Sequence, residues 1–526
     1  MSTISKTTLF TVRISLIVAL GGFLMGFDAS VISGVIKFIE PEFGLTKLEL
    51  GWAVSSLTLT STLAMLTAGP ISDRIGRKAV LRWAGFLYAL SAILSALAPT
   101  FTLLVIARMI GGLGVGASLI IAPMYIAELS PPRLRGRMVS FNQLNIVLGI
   151  SVAFFTNYLI LQWGKSDAAW VESLGIDQHN WRWMLGIEAI PAILYFLALF
   201  LVPRSPRWLA MKGRFEAALA IMRQTVGEAA SKQLEEVKAS LQQDDKKKTG
   251  QLTLLFSKPV RLVLIIGLVV AAIQQLTGIN AVFFYAPTIF EQTGIGTDAS
   301  FVQAIFVGLT NLVFTLVAIV LIDKAGRKFL LASGLAGIVI AMAILGYGFS
   351  SATYQLPDTY DESFPAELEQ AAIAPLLGQA FSTDLAFKDA LRKQLGDQEA
   401  QKHESALTTL SITINANLVL FAIIFFVASF AVSIGPVMWV LFSELFPNAI
   451  RGLAISVVGF VNSVCSFLVQ LVFPWELANL GNSTTFLLFG GFAAIGLLFT
   501  LLVIPETKGK SLEEIEAKLV TQKQTS

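Results

Sequence analysis

The chain has 526 residues, 55% of them hydrophobic and 14% charged, with a formal net charge of +3. Soluble domains carry about a quarter charged residues, so this composition excludes an ordinary soluble enzyme. The apolar residues gather in runs of about 20 or more, long enough to cross a bilayer as helices, and the short alternating segments of a membrane β-barrel are missing.

After a short polar start, apolar runs cover residues 14–36, 52–71, 83–98, 101–126, 139–161 and 183–202. The first run is too long for a signal peptide and lacks a small-residue cleavage site behind it, so it is a retained helix. A polar stretch follows over 204–258, with amphipathic helix over 214–241 and a flexible hinge at 244–248. Six more runs cover 262–290, 301–322, 329–349, 412–442, 453–473 and 484–504. In the tail, Ser511 stands three residues before Glu514, a capping-box pattern. The lone cysteine, Cys465, lies within an apolar run and reads as a small core residue.

The short loops orient the chain. Arg74, Arg77, Lys78 and Arg82 follow the second run, Arg133, Arg135 and Arg137 the fourth, Lys324, Arg327 and Lys328 the eighth, and Arg451 the tenth. Positive charge in short loops marks the cytoplasmic side, which places these loops, the central stretch and both termini there.

The chain also repeats itself. Asp73-Arg-Ile-Gly-Arg-Lys78 recurs as Asp323-Lys-Ala-Gly-Arg-Lys328, 250 residues on. Glu128-Leu-Ser-Pro-Pro-Arg-Leu-Arg-Gly136 recurs as Glu444-Leu-Phe-Pro-Asn-Ala-Ile-Arg-Gly452, 316 residues on. The expected fold is therefore an all-α membrane protein of twelve transmembrane helices in two six-helix pseudo-repeats, with small cytoplasmic helices. Its parts are a first bundle over 12–203, a linker over 204–258, a second bundle over 259–504 and a tail over 505–526. The 66-residue difference between the two spacings falls in a polar insertion at 350–410, outside the cytoplasm, with ten acidic and four basic residues between 351 and 405. Within it, residues 385–395 read as surface helix.

Pro123-Met-Tyr-Ile-Ala-Glu128, Pro203-Arg-Ser-Pro-Arg-Trp-Leu209, Gln274-Gln-Leu-Thr-Gly-Ile-Asn280, Gly435-Pro-Val-Met-Trp439, Pro505-Glu-Thr-Lys-Gly509 and the two Gly-Arg-Lys loops together carry a resemblance. The ordered set resembles the sugar porter family of the major facilitator superfamily, and within it the bacterial monosaccharide/proton symporters. The resemblance implies the major facilitator fold and import of a hexose or pentose with protons by alternating access. It further implies a monomer in a bacterial inner membrane whose partners are sugar, protons and lipid. A passive sugar facilitator of the same fold, and a transporter-like sugar sensor, are the alternatives. The sequence offers no metal cluster, nucleotide loop, nucleophile–base constellation or nucleic-acid signature, so no enzyme activity and no cofactor are expected.

Ionisable residues inside a membrane are costly and need a reason. Asp28 lies in the first run, Arg108 in the fourth and Glu188 in the sixth, and no histidine falls in any run. A carried proton therefore needs a carboxylate. The resemblance assigns proton coupling to Asp28 with Arg108 as its partner, and links Glu188 to the same process; a static ion pair between helices is the plainer reading. Asp73, Arg77, Glu128 and Arg135 in one half, and Asp323, Arg327, Glu444 and Arg451 in the other, form a like pattern of interhelical ion pairs that would gate the cytoplasmic ends.

A sugar presents hydroxyls that both donate and accept, and amide side chains answer both roles. Gln143, Gln274, Gln275, Asn280, Asn311 and Asn462 supply amides, and Trp439 an aromatic floor; all match family sugar contacts. Adjacent Gln274 and Gln275 diverge by about 100° on a regular helix, so a break is expected at Thr277-Gly278, with a second near Pro287. Met25, Ile150, Phe284 and Ser463 depart from the family's pattern and leave the particular sugar open.

Overall fold

The structure, a computed structural model, describes residues 6–247, 254–257, 260–365, 367–447 and 450–508. Among them, 12 helical segments are long and apolar enough to cross a membrane. In order these are span 1 (Lys6–Phe43), span 2 (Lys47–Ile75), span 3 (Arg77–Ala96), span 4 (Phe101–Leu129) and span 5 (Pro132–Trp163). Span 6 joins two helices, Asn180–Gly186 and Ala189–Ala198. After the central segment come span 7 (Arg261–Leu276 and Ile279–Glu291), span 8 (Thr297–Ala325) and span 9 (Arg327–Ser350). Span 10 (Ala416–Val432 and Ile434–Leu445), span 11 (Arg451–Asn479) and span 12 (Gly481–Leu502) complete the set. The helices outrun the apolar runs of the sequence because their polar ends stay helical; span 2 begins with a capping box in which Thr46 accepts from Glu49 N and Glu49 accepts from Thr46 N.

Small residues set the helix spacing. A Cβ on Gly26 would lie 1.9 Å from Ile146 O, and one on Gly149 2.1 Å from Phe23 O, so spans 1 and 5 touch through their backbones. Gly112 and Gly116 do the same for spans 4 and 2. Without water between helices, this close backbone approach is what holds membrane bundles together. Between the two groups of spans, Gly51 abuts the Leu471 backbone and Gly308 abuts Ser151 and Phe154, bringing span 2 to span 11 and span 5 to span 8.

The central segment folds on a small core of its own, including Trp208, Leu209, Met222 and Leu234. The helix expected over 214–241 is in fact two, Phe215–Val226 and Ala230–Lys247, because Gly227 leaves the helix at φ 64°. The expected hinge at 244–248 is helical through Lys247, with no glycine or proline there to interrupt the helix. Lys248 and the tail's Ser511 and Glu514 lie outside the described residues.

The insertion forms a subdomain. Three short antiparallel strands, β1 (Thr353–Gln355), β2 (Ala380–Phe381) and β3 (Ile412–Thr413), run in the order β2-β1-β3. They cover two helices, Asp384–Leu395 and Asp397–Ser411, around a core that includes Tyr354, Phe364, Phe387 and Leu407. The subdomain touches both groups of spans. Asp384 accepts from Asn482 N at the turn between spans 11 and 12, while Gln401 donates to Leu45 O before span 2. Lys47 lies 2.6 Å from Glu40 and 3.9 Å from Glu404, and Glu404 lies 3.5 Å from Lys388.

Candidate substrate and proton sites

The break in span 7 falls at Thr277 and Gly278, where Gly278 takes φ 85°. A side chain there would be strained and would also strike Phe489. Gln274 and Gln275 stay within the helix ahead of the break, and both are buried. They are joined rather than divergent: Gln275 Nε2 donates to Gln274 Oε1 and to Asn462 Oδ1, at 3.2 and 3.1 Å. Asn462 Nδ2 donates to Gln274 Oε1 at 2.6 Å and to Ala271 O at 2.9 Å. Just past the break, Asn280 Nδ2 donates to Gln275 Oε1 at 2.7 Å and to Ser466 Oγ at 2.6 Å. Gln274 also reaches Gly435 O, at the start of the second helix of span 10. The second break in span 7 is a kink at Tyr285 (φ −127°, ψ 17°), two residues before Pro287.

Trp439 stands on that second helix of span 10, half open, with its ring 6.0 Å from Phe442 and its edge beside Gly459 of span 11. Asn311 is buried in span 8, one turn past the Gly308–Ser151 contact, and takes no hydrogen bond from the described residues. Gln143 lies on an exposed face of span 5 and does not join the amide network. Sequence reading missed three residues that extend this network. Gln470 Nε2 donates to Ser466 Oγ, and Gln470 Oε1 accepts from Thr58 of span 2, linking the two halves. Asn462, Ser466 and Gln470 recur every fourth residue, a one-face helical spacing that the sequence does carry.

A second buried cluster lies among spans 1, 4 and 6. Arg108 Nη1 is 3.4 Å from Asp28 Oδ1, and Arg108 Nε donates to Ala53 O at 3.0 Å. Glu188, at the join of the two span 6 helices, lies within electrostatic reach of both. All three are at most 4% exposed. Asp28 Oδ2 and Glu188 Oε1 are enclosed without a hydrogen-bond partner among the described residues. With both carboxylates ionised the cluster holds two negative charges against one positive. One added proton makes it neutral, and in a low-dielectric interior an uncompensated charge is expensive.

The paired loops form ion pairs within each half. Arg77 lies 2.7 Å from Asp73 and 3.1 Å from Glu128, and Arg327 lies 2.7 Å from Glu444. Arg451 does not pair with a carboxylate among the described residues; its Nε donates to Phe446 O, capping the carbonyl left open where span 10 ends. The side chains of Arg135 and Asp323 lie outside the described residues. Ties between the halves lie on the opposite face: Lys37 reaches Glu291 at 2.5 Å and also Thr297, and Lys165 pairs with Asp298.

Two related groups of six spans, each with a buried polar cluster, define a multi-pass membrane transporter of the major facilitator fold. The chain belongs to the sugar porter family: the profile described as "Sugar (and other) transporter" matches residues 14–363 and 402–519, and the gap falls within the insertion's subdomain. The chain is 34% identical over 508 residues to the arabinose-proton symporter of Bacillus subtilis, covering 96% of this chain and 94% of that one. It is 35% identical over 538 residues to the D-xylose-proton symporter of Escherichia coli, with the same two coverages. A partially occluded inward-open structure of the xylose transporter from E. coli matches with a TM-score of 0.73 at 31% identity, covering 96% of this chain and all of that one. The same transporter bound to 6-bromo-6-deoxy-D-glucose matches with a TM-score of 0.69 at 32% identity, over 98% of this chain and all of that one.

Proposed function

We propose that this protein imports a monosaccharide, a hexose or a pentose, together with protons by alternating access. The amide group of Gln274, Gln275, Asn280 and Asn462 around the span 7 break carries the reading. It offers donors and acceptors in one place, beside an aromatic ring and next to a flexible backbone joint. A sugar entering there exchanges amide–amide bonds for amide–hydroxyl bonds, so few buried polar groups are left unpaired. Gln143 and Asn311 extend the contact set from spans 5 and 8, and Trp439 supplies the apolar floor. Relatives named for arabinose and xylose transport support the substrate class.

Proton coupling is placed on Asp28, with Arg108 as its partner and Glu188 as a second acid. The odd charge of this cluster supports that assignment. The ion pairs of Arg77 and Arg327 hold the ends of each half in one arrangement and act as the gate elements, with Arg135, Asp323 and Arg451 beside them. The Gly-Arg-Lys face and both termini are assigned to the cytoplasm, in a bacterial inner membrane, and the monomer is taken as the working unit. Ties between halves on the outer face support an inward-facing state.

The test is uptake of a panel of labelled pentoses and hexoses into proteoliposomes, with and without a pH gradient. One monosaccharide should accumulate above its external concentration when the outside is acid, and only equilibrate without the gradient. Equilibration alone under both conditions would identify a passive facilitator, and no uptake of any sugar would overturn the transport reading.

A further inference from the structure

The two halves share a pattern of bonds on the Gly-Arg-Lys face, with one exception at the helix N-terminus. In the first half, Arg77 pairs with Glu128, Ser205 donates to Glu128, and Arg77 Nη1 donates to Ser72 O. In the second half, Arg327 pairs with Glu444, Thr507 donates to Glu444, and Arg327 Nη1 donates to Ile322 O. Lys78 and Lys328 each donate to a carbonyl near the end of the half's last span, Phe200 O and Leu501 O. Pro203-Arg204-Ser205 thus stands where Pro505-Glu506-Thr507 stands.

The exception is Arg204 against Glu506. The Glu506 carboxylate accepts from Arg327 N at 3.0 Å and Lys328 N at 3.2 Å, closing the N-terminus of span 9. At the N-terminus of span 3, the equivalent donors Arg77 N and Lys78 N meet no acceptor among the described residues, and Gly76 provides no side-chain cap. A cavity of about 70 Å³ lies there, walled by Gly76, Arg77, Lys78, Arg82, Arg204 and Trp208. That is several times the ~10–15 Å³ one water needs. Arg82 stands where the second half has Ala332, and its Nε is enclosed without a hydrogen-bond partner. Lys78, Arg82 and Arg204 pair with no carboxylate among the described residues; Arg82 and Arg204 lie instead over the rings of Phe200 and Trp208. Asp73 and Glu128 are the nearby acids, and both are engaged by Arg77. One half therefore supplies its own anion to a helix N-terminus, and the other presents the same donors with two extra cations and no anion.

We propose that this cavity binds a phosphate group from outside the chain, the headgroup phosphate of an anionic phospholipid. Backbone N–H groups at a helix start and clustered arginines are the usual phosphate cradle. The lipid source follows from the surroundings. Trp83, Phe86, Phe200 and Leu201 beside the cavity expose apolar surface along which acyl chains can lie, and basic residues at a membrane surface attract anionic lipid.

Native mass spectrometry of the purified protein with phosphatidylglycerol, phosphatidylcholine or inorganic phosphate tests this. Wild type should retain phosphatidylglycerol over phosphatidylcholine, and gain more thermal stability from it. Arg204→Glu places a carboxylate where Glu506 sits in the other half, and should bind phosphatidylglycerol roughly tenfold more weakly while melting no lower than wild type without lipid. Arg82→Ala should weaken the same retention. Unchanged retention in both variants, or equal retention of phosphatidylcholine, would overturn the site. A full stability gain from inorganic phosphate alone would overturn the lipid assignment.

Discussion

Asp28 pairs with Arg108 while Glu188 lies within electrostatic reach of it, and each acid keeps one carboxylate oxygen without a partner among the described residues. Replacing Asp28 by Asn removes the titrating group while keeping its size. Asp28→Asn should retain counterflow exchange of sugar between equal pools but lose accumulation driven by a pH gradient, as measured in proteoliposomes. Accumulation at wild-type levels would remove Asp28 from the coupling step. Glu506 lends itself to a pH experiment. Burial pushes its carboxyl up, but the backbone N–H groups of Lys508, Arg327, Lys328 and Thr507 outweigh this and hold it below the usual carboxylate range. A depressed folded pKa stabilises above the unfolded value, about 4.3, and the benefit is lost as pH falls through the folded value. Glu506→Gln should therefore cost about 1 kcal/mol at neutral pH, seen as a lower melting temperature in detergent, and the gap should close below pH ~4. Residue types at these sites were readable from the chain. What each touched was not: the Arg451 bond to Phe446 O replaces an expected ion pair because a helix end left a carbonyl to satisfy.

At the scale of elements, apolar runs located every span, since only continuous helix satisfies the backbone in lipid. The two breaks in span 7 were legible too, because Gly278 and Pro287 are local signals, whereas those in spans 6 and 10 were not. The subdomain was legible only in part: residues 385–395 read as helix and form Asp384–Leu395. Its strands are two or three residues long, too short for an alternating pattern to register, and its helix Asp397–Ser411 lay unmarked in a polar stretch. Glu404 in that helix is partly buried, which pushes its carboxyl up, yet Lys47, Lys388 and Arg392 bring it below the ordinary range. It thus ties the subdomain to the start of span 2. Glu404→Gln should loosen this tie by about 1 kcal/mol, roughly a fivefold shift toward outward-facing molecules. Spin-label distances across the face that carries the subdomain would measure it; an unchanged distribution would show that the tie carries no conformational weight.

Across the whole molecule, the internal repeat announced two halves, but the contacts between them join residues hundreds of positions apart, such as Thr58 with Gln470. No local pattern encodes such pairs; they follow from how the two bundles pack. The odd charge of the Asp28–Arg108–Glu188 cluster has an electrical consequence. A cycle that carries a neutral sugar with one proton moves one elementary charge across the bilayer. The membrane voltage then drives uptake as directly as acidity does, by about 2.3 kcal/mol per 100 mV, or roughly fiftyfold in sugar ratio. A potassium diffusion potential, negative inside, should accelerate uptake into proteoliposomes held at equal pH on both sides. Transport that ignores the potential would mean a charge-balanced cycle. A cell using such a carrier could keep collecting scarce sugar from neutral surroundings, with its resting voltage as the fuel.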